Sequence, residues 1–455
     1  MRSKHMSSST VKKKYGPRPA AAERILQQVL EAARLRGATA AEAEVGTGSG
    51  LSVTVRNGDV ETVEHQADKG LSVTVYMNRR KGSAGTTDFS DAALMDTVAA
   101  ACTIAEYASE DACAGLIDSS HLANKIPDLD LHHPWALEPE PAIALATECE
   151  QHARDADPRL TNSDGTQVST YSGTHLYGNT HGFLGGWNWS SHSLDCAMIA
   201  EAAGKMQRDG WYTRARDHVD LEDPRSLGRQ AAARTAARIG ARRLTTRAAP
   251  VIFEAPVADG LFGAFVSAIS GAALYRKASF LLDRLGTPVF AEHMRLHEEP
   301  HLKKGMGSAP FDNDGMGTCR RDLVRDGVLL GYVLSAYSAR KLGMAPTGNA
   351  GGVHNLIVDF GTKDLPGLLK TMDTGLLITD LIGFGVNQVT GDYSRGASGF
   401  WVERGEIQYP VEEITVAGNL KEIYRHIVEV GNDVDPRGNI QTGSVLIEEL
   451  TIAGE

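Results

Sequence analysis

The sequence predicts an α+β protein of two domains, and three observations carry that prediction. The first half is filled by runs that alternate apolar and polar residues and are joined by tight-turn signals. Much of the second half is glycine-dense β sequence. Between them, residues 250–286 include a stretch of helix length, 260–274, that carries no charge. The expected architecture is therefore an N-terminal domain of hairpins and a curved sheet with helices, followed by a glycine-rich β domain packed on a buried helix.

The elements follow in order. Residues 1–19 read as a polar, mobile tail, 20–247 as the first domain and 248–455 as the second. Ile25, Val29, Leu30 and Ala33 share one side of a helix over residues 20–36, which Gly37 ends. Leu51, Val53 and Val55 alternate up to Asn57-Gly58, a strong hairpin signal, with a return strand over 60–67. Leu71, Val73 and Val75 begin a second hairpin that turns at 78–81, and a helix capped near Ser90 runs to about Tyr107. A Pro- and His-containing connector spans 118–141. A helix over 141–155 leads to strands at 160–163, 166–177, 187–203 and 205–213, then to a basic, alanine-rich helix over 224–240. The second domain opens with the β run Val251-Ile252-Phe253 and a helix over 260–274. In that helix Gly260, Gly263, Ser267 and Gly271 make a small-residue groove beside a ridge of Leu261, Phe265, Ile269 and Ala272. A strand and helix over 321–342, a β region over 348–418, a helix over 420–430 and a strand over 444–452 complete it.

Composition excludes several classes. The 455 residues carry a formal net charge of -11 and are 42% hydrophobic, so a large core is available. The negative charge repels a phosphate backbone, and beyond Lys12-Lys13-Lys14 and the scattered arginines of 229–247 no basic stripe exists; nucleic acid is not an expected partner. Cys102, Cys113, Cys149, Cys196 and Cys319 are odd in number and widely spaced, which fits a reducing cytoplasm better than a disulfide framework or a zinc knuckle. No apolar run of signal-peptide length follows the N-terminal lysines, so export is not expected. The uncharged helix is shorter than the ~20 apolar residues of a membrane span.

Residues 297–301, His297-Glu298-Glu299-Pro300-His301, match the H-E-x-x-H pattern of zinc proteases. Pro300 argues against it, because a proline inside the helix costs about 3 kcal/mol and the flanks Glu292, Arg295, Lys303 and Lys304 lack core periodicity. His175, His181 and His192 stand in apparent strands and could converge on a metal, although histidines among Ser, Thr and aromatics are ordinarily hydrogen-bonded. The run 347–355 lacks the context of a dinucleotide or phosphate loop. With Gly383, Gly385, Gly391, Gly396 and Gly399 it suggests tight turns around a cleft where a peptide could add as a strand.

Tyr275-Arg276-Lys277-Ala278, the segment 391–402 and Gly431-Asn432-Asp433 together resemble the TldD/PmbA family, on its PmbA (TldE) branch, and the likeness runs from the first hairpin through Gly185-Gly186 to Ile452-Ala453-Gly454. The resemblance implies a subunit of a two-protein cytoplasmic zinc protease that trims leader peptides and degrades small unfolded substrates. In that family the TldD partner holds zinc with a HExxxH helix and a distant C-terminal cysteine. Counted back from Arg276-Lys277, the histidine positions fall on Gly263 and Ala268 and the glutamate on Ala264, and no cysteine follows Cys319. The resemblance therefore implies no catalytic residue and no metal ligand in this chain, with zinc in a TldD-like partner. Expected cleft or interface residues are Arg276, Asn349, His354, Asn355, Tyr393 and Arg395, near a small-residue helix, a loop over 348–355 and a turn over 392–399. Two alternatives are a self-contained metallopeptidase using His297, Glu298 and His301, and a non-enzymatic peptide-binding homodimer.

Overall fold

Leu26, Val29 and Ala33 line the buried stripe of α1 (Ala20–Leu35), which Gly37 terminates at a φ of +88°. The computed structural model describes residues 20–454, so the tail expected over 1–19 lies outside the described residues. β1 (Ala40–Arg56) and β2 (Asp59–Met77) join through Asn57 and Gly58, both at positive φ, and β3 (Arg80–Thr86) follows. The runs expected as separate strands at 60–67 and 71–75 are one strand of 19 residues, because Gly70 simply continues the ladder opposite Gly46. The side chain of Ser90 caps α2 (Asp91–Tyr107). After α3 (Pro139–Ala156) come β4 (Leu160–Asn179), β5 (Leu184–Ala202) and β6 (Lys205–Ala215), then α4 (Pro224–Ala237). Here too the pieces expected at 160–163 and 166–177 are one strand, with irregular register near Asn162 and Gly165.

These six strands form one antiparallel sheet in the order β3-β2-β1-β4-β5-β6. α1 and α2 pack on β1 to β3 around Val45, Leu71 and Val73. α3 and α4 pack on β1, β4 and β5 around Val53, Val168 and Leu194. Glu150, buried on α3, accepts the backbone N–H groups of Asn57 (2.9 Å) and Gly58 (2.7 Å) and so latches the first turn to the helix layer.

The second half opens with β7 (Arg247–Phe253), α5 (Ala255–Ala268) and α6 (Gly271–Tyr275). The single helix expected over 260–274 is thus two. Ile269 and Ser270 leave the helix to bond Val333, with Val333 N–H donating to the Ile269 carbonyl (3.0 Å) and Gly271 N–H to that of Val333 (2.8 Å). Ser270 then caps the short second helix. β8 (Leu296–Glu298), β9 (Arg321–Arg325), β10 (Val328–Leu329) and α7 (Ala336–Leu342) precede β11 (Leu356–Val358), α8 (Leu365–Met372), β12 (Gly375–Ile382) and β13 (Asp392–Glu403). β14 (Glu406–Asn419), α9 (Leu420–Arg425), β15 (Ile427–Val430), β16 (Ile440–Gln441) and β17 (Val445–Ala453) end the chain. Residues 392–399, expected as a turn, belong to a strand, and the helix expected over 420–430 stops at Arg425 to let β15 join a sheet. α8 was not legible within the glycine-dense region.

β10-β9-β8-β11-β16 make a five-stranded sheet. β14-β13-β12-β7-β17-β15 make a six-stranded one that curls until β14 also pairs with β17. The largest core lies between these sheets and α5, through Phe253, Phe262, Phe265, Ile378 and Tyr424. The molecule is an α+β protein, and among the described residues no helix is long and apolar enough to cross a membrane.

Candidate substrate cleft

Periodicity assigns α5 an apolar side and a small-residue side, and the structure gives them opposite environments. Leu261, Phe262, Phe265 and Ala268 are buried, whereas Asp259, Gly260 and Ser267 are exposed and Gly263 is half-buried. No other backbone enters the groove at Gly260 or Gly263. A methyl on Gly260 would come nearest to Arg395 Nη1, at 3.6 Å, and one on Gly263 nearest to Ile440 Cδ1, at 3.9 Å. The expected close approach occurs instead at Gly271, where Ser338 of α7 leaves no room for a side chain. An open, small-residue helix face is therefore walled by Arg395 of β13 on one side and Ile440 of β16 on the other.

At the α5 N-terminus lies a cleft of about 420 Å³ lined by Trp211, Glu254, Pro256, Asp433, Asp435 and Arg437. Asp433 accepts the Ser444 hydroxyl (2.6 Å), and Ser444 accepts the Ala255 N–H (3.0 Å), which ties residues 433–444 to the first turn of the helix. Arg437 grips Asp435 with two nitrogens, at 2.8 and 2.7 Å, and lies 4.2 and 4.0 Å over the rings of Trp211 and Tyr212. Although Asp259 is exposed as a residue, protein packed around its carboxyl excludes enough water to push it above the ordinary aspartate range; the Gly260 N–H opposes this, the Asp435 charge adds to it and Arg395 opposes it. Arg395 donates to the Leu381 carbonyl at 3.4 Å, and its buried Nε has no hydrogen-bond partner. Tyr393 is buried against Phe253, and burial holds its phenol up at about 12.

The six residues expected at the site fall in three places. Tyr393 and Arg395 stand beside α5. Asn349 and His354 meet Glu298, which is 2% exposed, and Asn355 is held beside them by Glu299 and Ser308, none of the three lining the cleft. Glu298 accepts Arg321 Nε (2.7 Å), Asn349 Nδ2 (2.8 Å) and the His354 N–H (2.8 Å). Asn355, at a φ of +44°, donates to the Glu299 carbonyl (2.8 Å) and Ser308 (2.7 Å) and accepts the Gly307 N–H (2.8 Å). Burial lowers the His354 imidazole below the ordinary histidine range. Arg276 is exposed after α6, over the ring of Tyr275. Asp433 belongs to the Gly431-Asn432-Asp433 motif, whereas Asp435, Arg437 and Ser444 are not legible in the sequence, their only signal being nearness to that motif.

The zinc readings of the histidines do not survive the geometry. His297 and Glu298 lie in strand β8, so alternate side chains point to opposite faces and no helical H-E-x-x-H face forms. His297 meets Asp359 (3.2 Å) and His301 meets Thr318 (3.0 Å). His192 is satisfied by Thr170 and the His133 carbonyl, both at 2.8 Å, while His175 pairs with Glu44 at 3.1 Å. On α5, Gly263, Ala264 and Ala268 supply no donor atoms, and among the described residues no group of three or more His, Cys, Asp or Glu side chains is arranged to hold a metal. The residues present do not fit a zinc ion.

Comparison with known proteins gives a consistent assignment. Family models of the PmbA/TldA metallopeptidases match in three consecutive pieces: domain 1 over residues 41–105, the central domain over 132–239 and the C-terminal domain over 246–454. The chain is 50% identical to the metalloprotease PmbA of Escherichia coli O157:H7 over 415 residues, covering 91% of this chain and 92% of that protein. It is 45% identical to a PmbA homologue of Haemophilus influenzae, covering 93% and 94%. Among solved structures, a candidate modulator of DNA gyrase from Bacteroides thetaiotaomicron superposes with a TM-score of 0.90 at 27% identity, covering 95% of this chain and 99% of that one. TldE from Thermococcus kodakarensis shares the fold, with a TM-score of 0.83 at 19% identity over 94% of this chain and 100% of that one. The chain is accordingly a member of the PmbA/TldD metallopeptidase family, on its PmbA (TldE) branch.

Proposed function

We propose that this chain is the non-metal subunit of a two-protein cytoplasmic zinc protease, which encloses the site of a TldD-like partner and holds an extended peptide, such as a leader peptide or a small unfolded substrate. The observation that carries this reading is α5. Its open face, at Gly260 and Gly263, keeps the space of a site, while Gly263 and the buried Ala264 and Ala268, which stand where the partner's family pattern places two histidines and a glutamate, carry no side chain able to bind a metal. Zinc, and the activated water it supplies, belong to the partner. This chain's part is positional. β16 is an edge strand beside Gly263, so a peptide backbone laid along the helix can pair with residues 440–441, and the missing side chains on Gly260 and Gly263 let it come close.

The test is metal analysis and a peptidase assay on the purified chain, alone and with a TldD-like protein. The chain alone is expected to hold no stoichiometric zinc and to cleave nothing, and cleavage appears with the partner. One zinc per chain with independent peptidase activity overturns the proposal.

A further inference from the structure

The N-terminal sheet ends in a strand that is covered on one side only. β3 pairs with β2 only over residues 71–77, so residues 59–70 have β1 on one side and, among the described residues, no strand on the other. Every residue from 59 to 69 is exposed, and apart from one register irregularity, at Glu61 opposite Thr54 and Val55, this long edge is neither shortened nor covered. The apolar layer also runs out here. Val55 and Val53 are fully buried in the core formed with α3, while their cross-strand neighbours Val60 and Val63 are 46% and 42% exposed. Main-chain groups and an apolar margin are therefore both left for another chain to complete.

We propose that residues 59–70 are where the TldD-like subunit docks, by adding an extended strand to this sheet; the inference rests on the two-subunit reading above. Charge selects the kind of strand. The segment 59–70 holds four acidic residues, Asp59, Glu61, Glu64 and Asp68, and one lysine, Lys69; Arg56 reaches Glu61 at 3.6 Å and Tyr171 donates to Asp68 at 2.8 Å, which leaves the stretch acidic, so a strand with apolar residues opposite the valines and Lys or Arg between them is complementary. A second copy of this chain is disfavoured, because antiparallel self-pairing brings acidic side chains onto acidic ones. A substrate peptide is disfavoured by position. The cleft at α5 adjoins β6, at the other side of the sheet, with β5, β4 and β1 between it and β2, a separation of roughly 20 Å at the ordinary strand spacing.

Hydrogen exchange on the full chain, with and without the TldD-like subunit, tests this together with the double variant Glu61→Lys/Glu64→Lys. Amides of residues 59–70 are expected to exchange about tenfold more slowly in the complex, and the variant to bind about tenfold more weakly, with an affinity that for the native chain falls as salt rises. If the complex forms with those amides unprotected and the variant binds as well, the edge is not the interface and the two-subunit reading stands. If no complex forms, both fall. Equal protection of the chain alone at high concentration, or by a substrate peptide without the subunit, overturns the inference in favour of self-pairing or of peptide docking.

Discussion

Glu298 shows how a residue chosen for chemistry is used for architecture. In sequence it is the glutamate of a zinc-protease pattern; in the fold it is a buried anion whose cation, Arg321, faces it across β8 and β9. That partner lies 23 residues away, and only the strand register brings it near, so local pattern could not reveal it. Removing the carboxylate leaves a partly buried guanidinium unpaired. Glu298→Ala is expected to cost about 3–5 kcal/mol in denaturant unfolding, with no change in the chain's zinc content. His192 tells a similar story. Its ring is fully buried and satisfied on both nitrogens, and burial lowers its affinity for a proton. The unfolded chain, with a histidine near 6.5, then binds more protons than the native one, so stability is complete above about pH 7 and falls as the pH drops through that value. NMR titration should find the His192 ring charging only below its ordinary range, and a ring that charges at its ordinary value would refute this.

At the scale of the element, α5 was the most legible feature of the sequence and also the most instructive error. Spacing alone separated its buried and small-residue sides, because helical periodicity depends on nothing outside the helix. Where it ends depends on Val333, more than sixty residues later, and was not legible. Residues 392–399 failed for another reason. Gly399 packs so tightly on the Leu377 carbonyl that no side chain fits, so a glycine that reads as a turn residue is there to let two strands approach. Two substitutions separate the open and closed parts of α5. Gly263→Ala has room and removes helix-interior glycine, so it should stabilise by about 0.5–1 kcal/mol. Its effect on cleavage by the complex then reports whether the groove is occupied. Ala268→His enters a fully buried position and should cost about 1–3 kcal/mol, so rebuilding the histidine pattern on this helix is expected to yield an unstable protein without stoichiometric zinc.

Across the whole molecule, the two halves meet through polar clamps as well as the aromatic cluster of Tyr177, Phe183 and Phe311. Arg340 of α7 donates to the carbonyls of Cys113 (3.0 Å) and Gly115 (2.9 Å) and also to that of Leu116, while Tyr337 and Lys341 hold Asp111. Arg340→Ala should therefore release the segment after α2, seen as several-fold faster limited proteolysis within residues 108–118 while the rest of the chain stays protected. The α+β class was legible because alternation, turn pairs and glycine density are local; the curl of the C-terminal sheet was not, because it joins strands far apart. β7 sits between β12 and β17, both more than a hundred residues downstream, and β17 is the last strand among the described residues. On the ribosome this fixes an order of events. The first sheet can close once β6 has emerged, but β7 and the apolar side of α5 must wait for β17, which makes the nascent second half the stage at which a chaperone has most to shield.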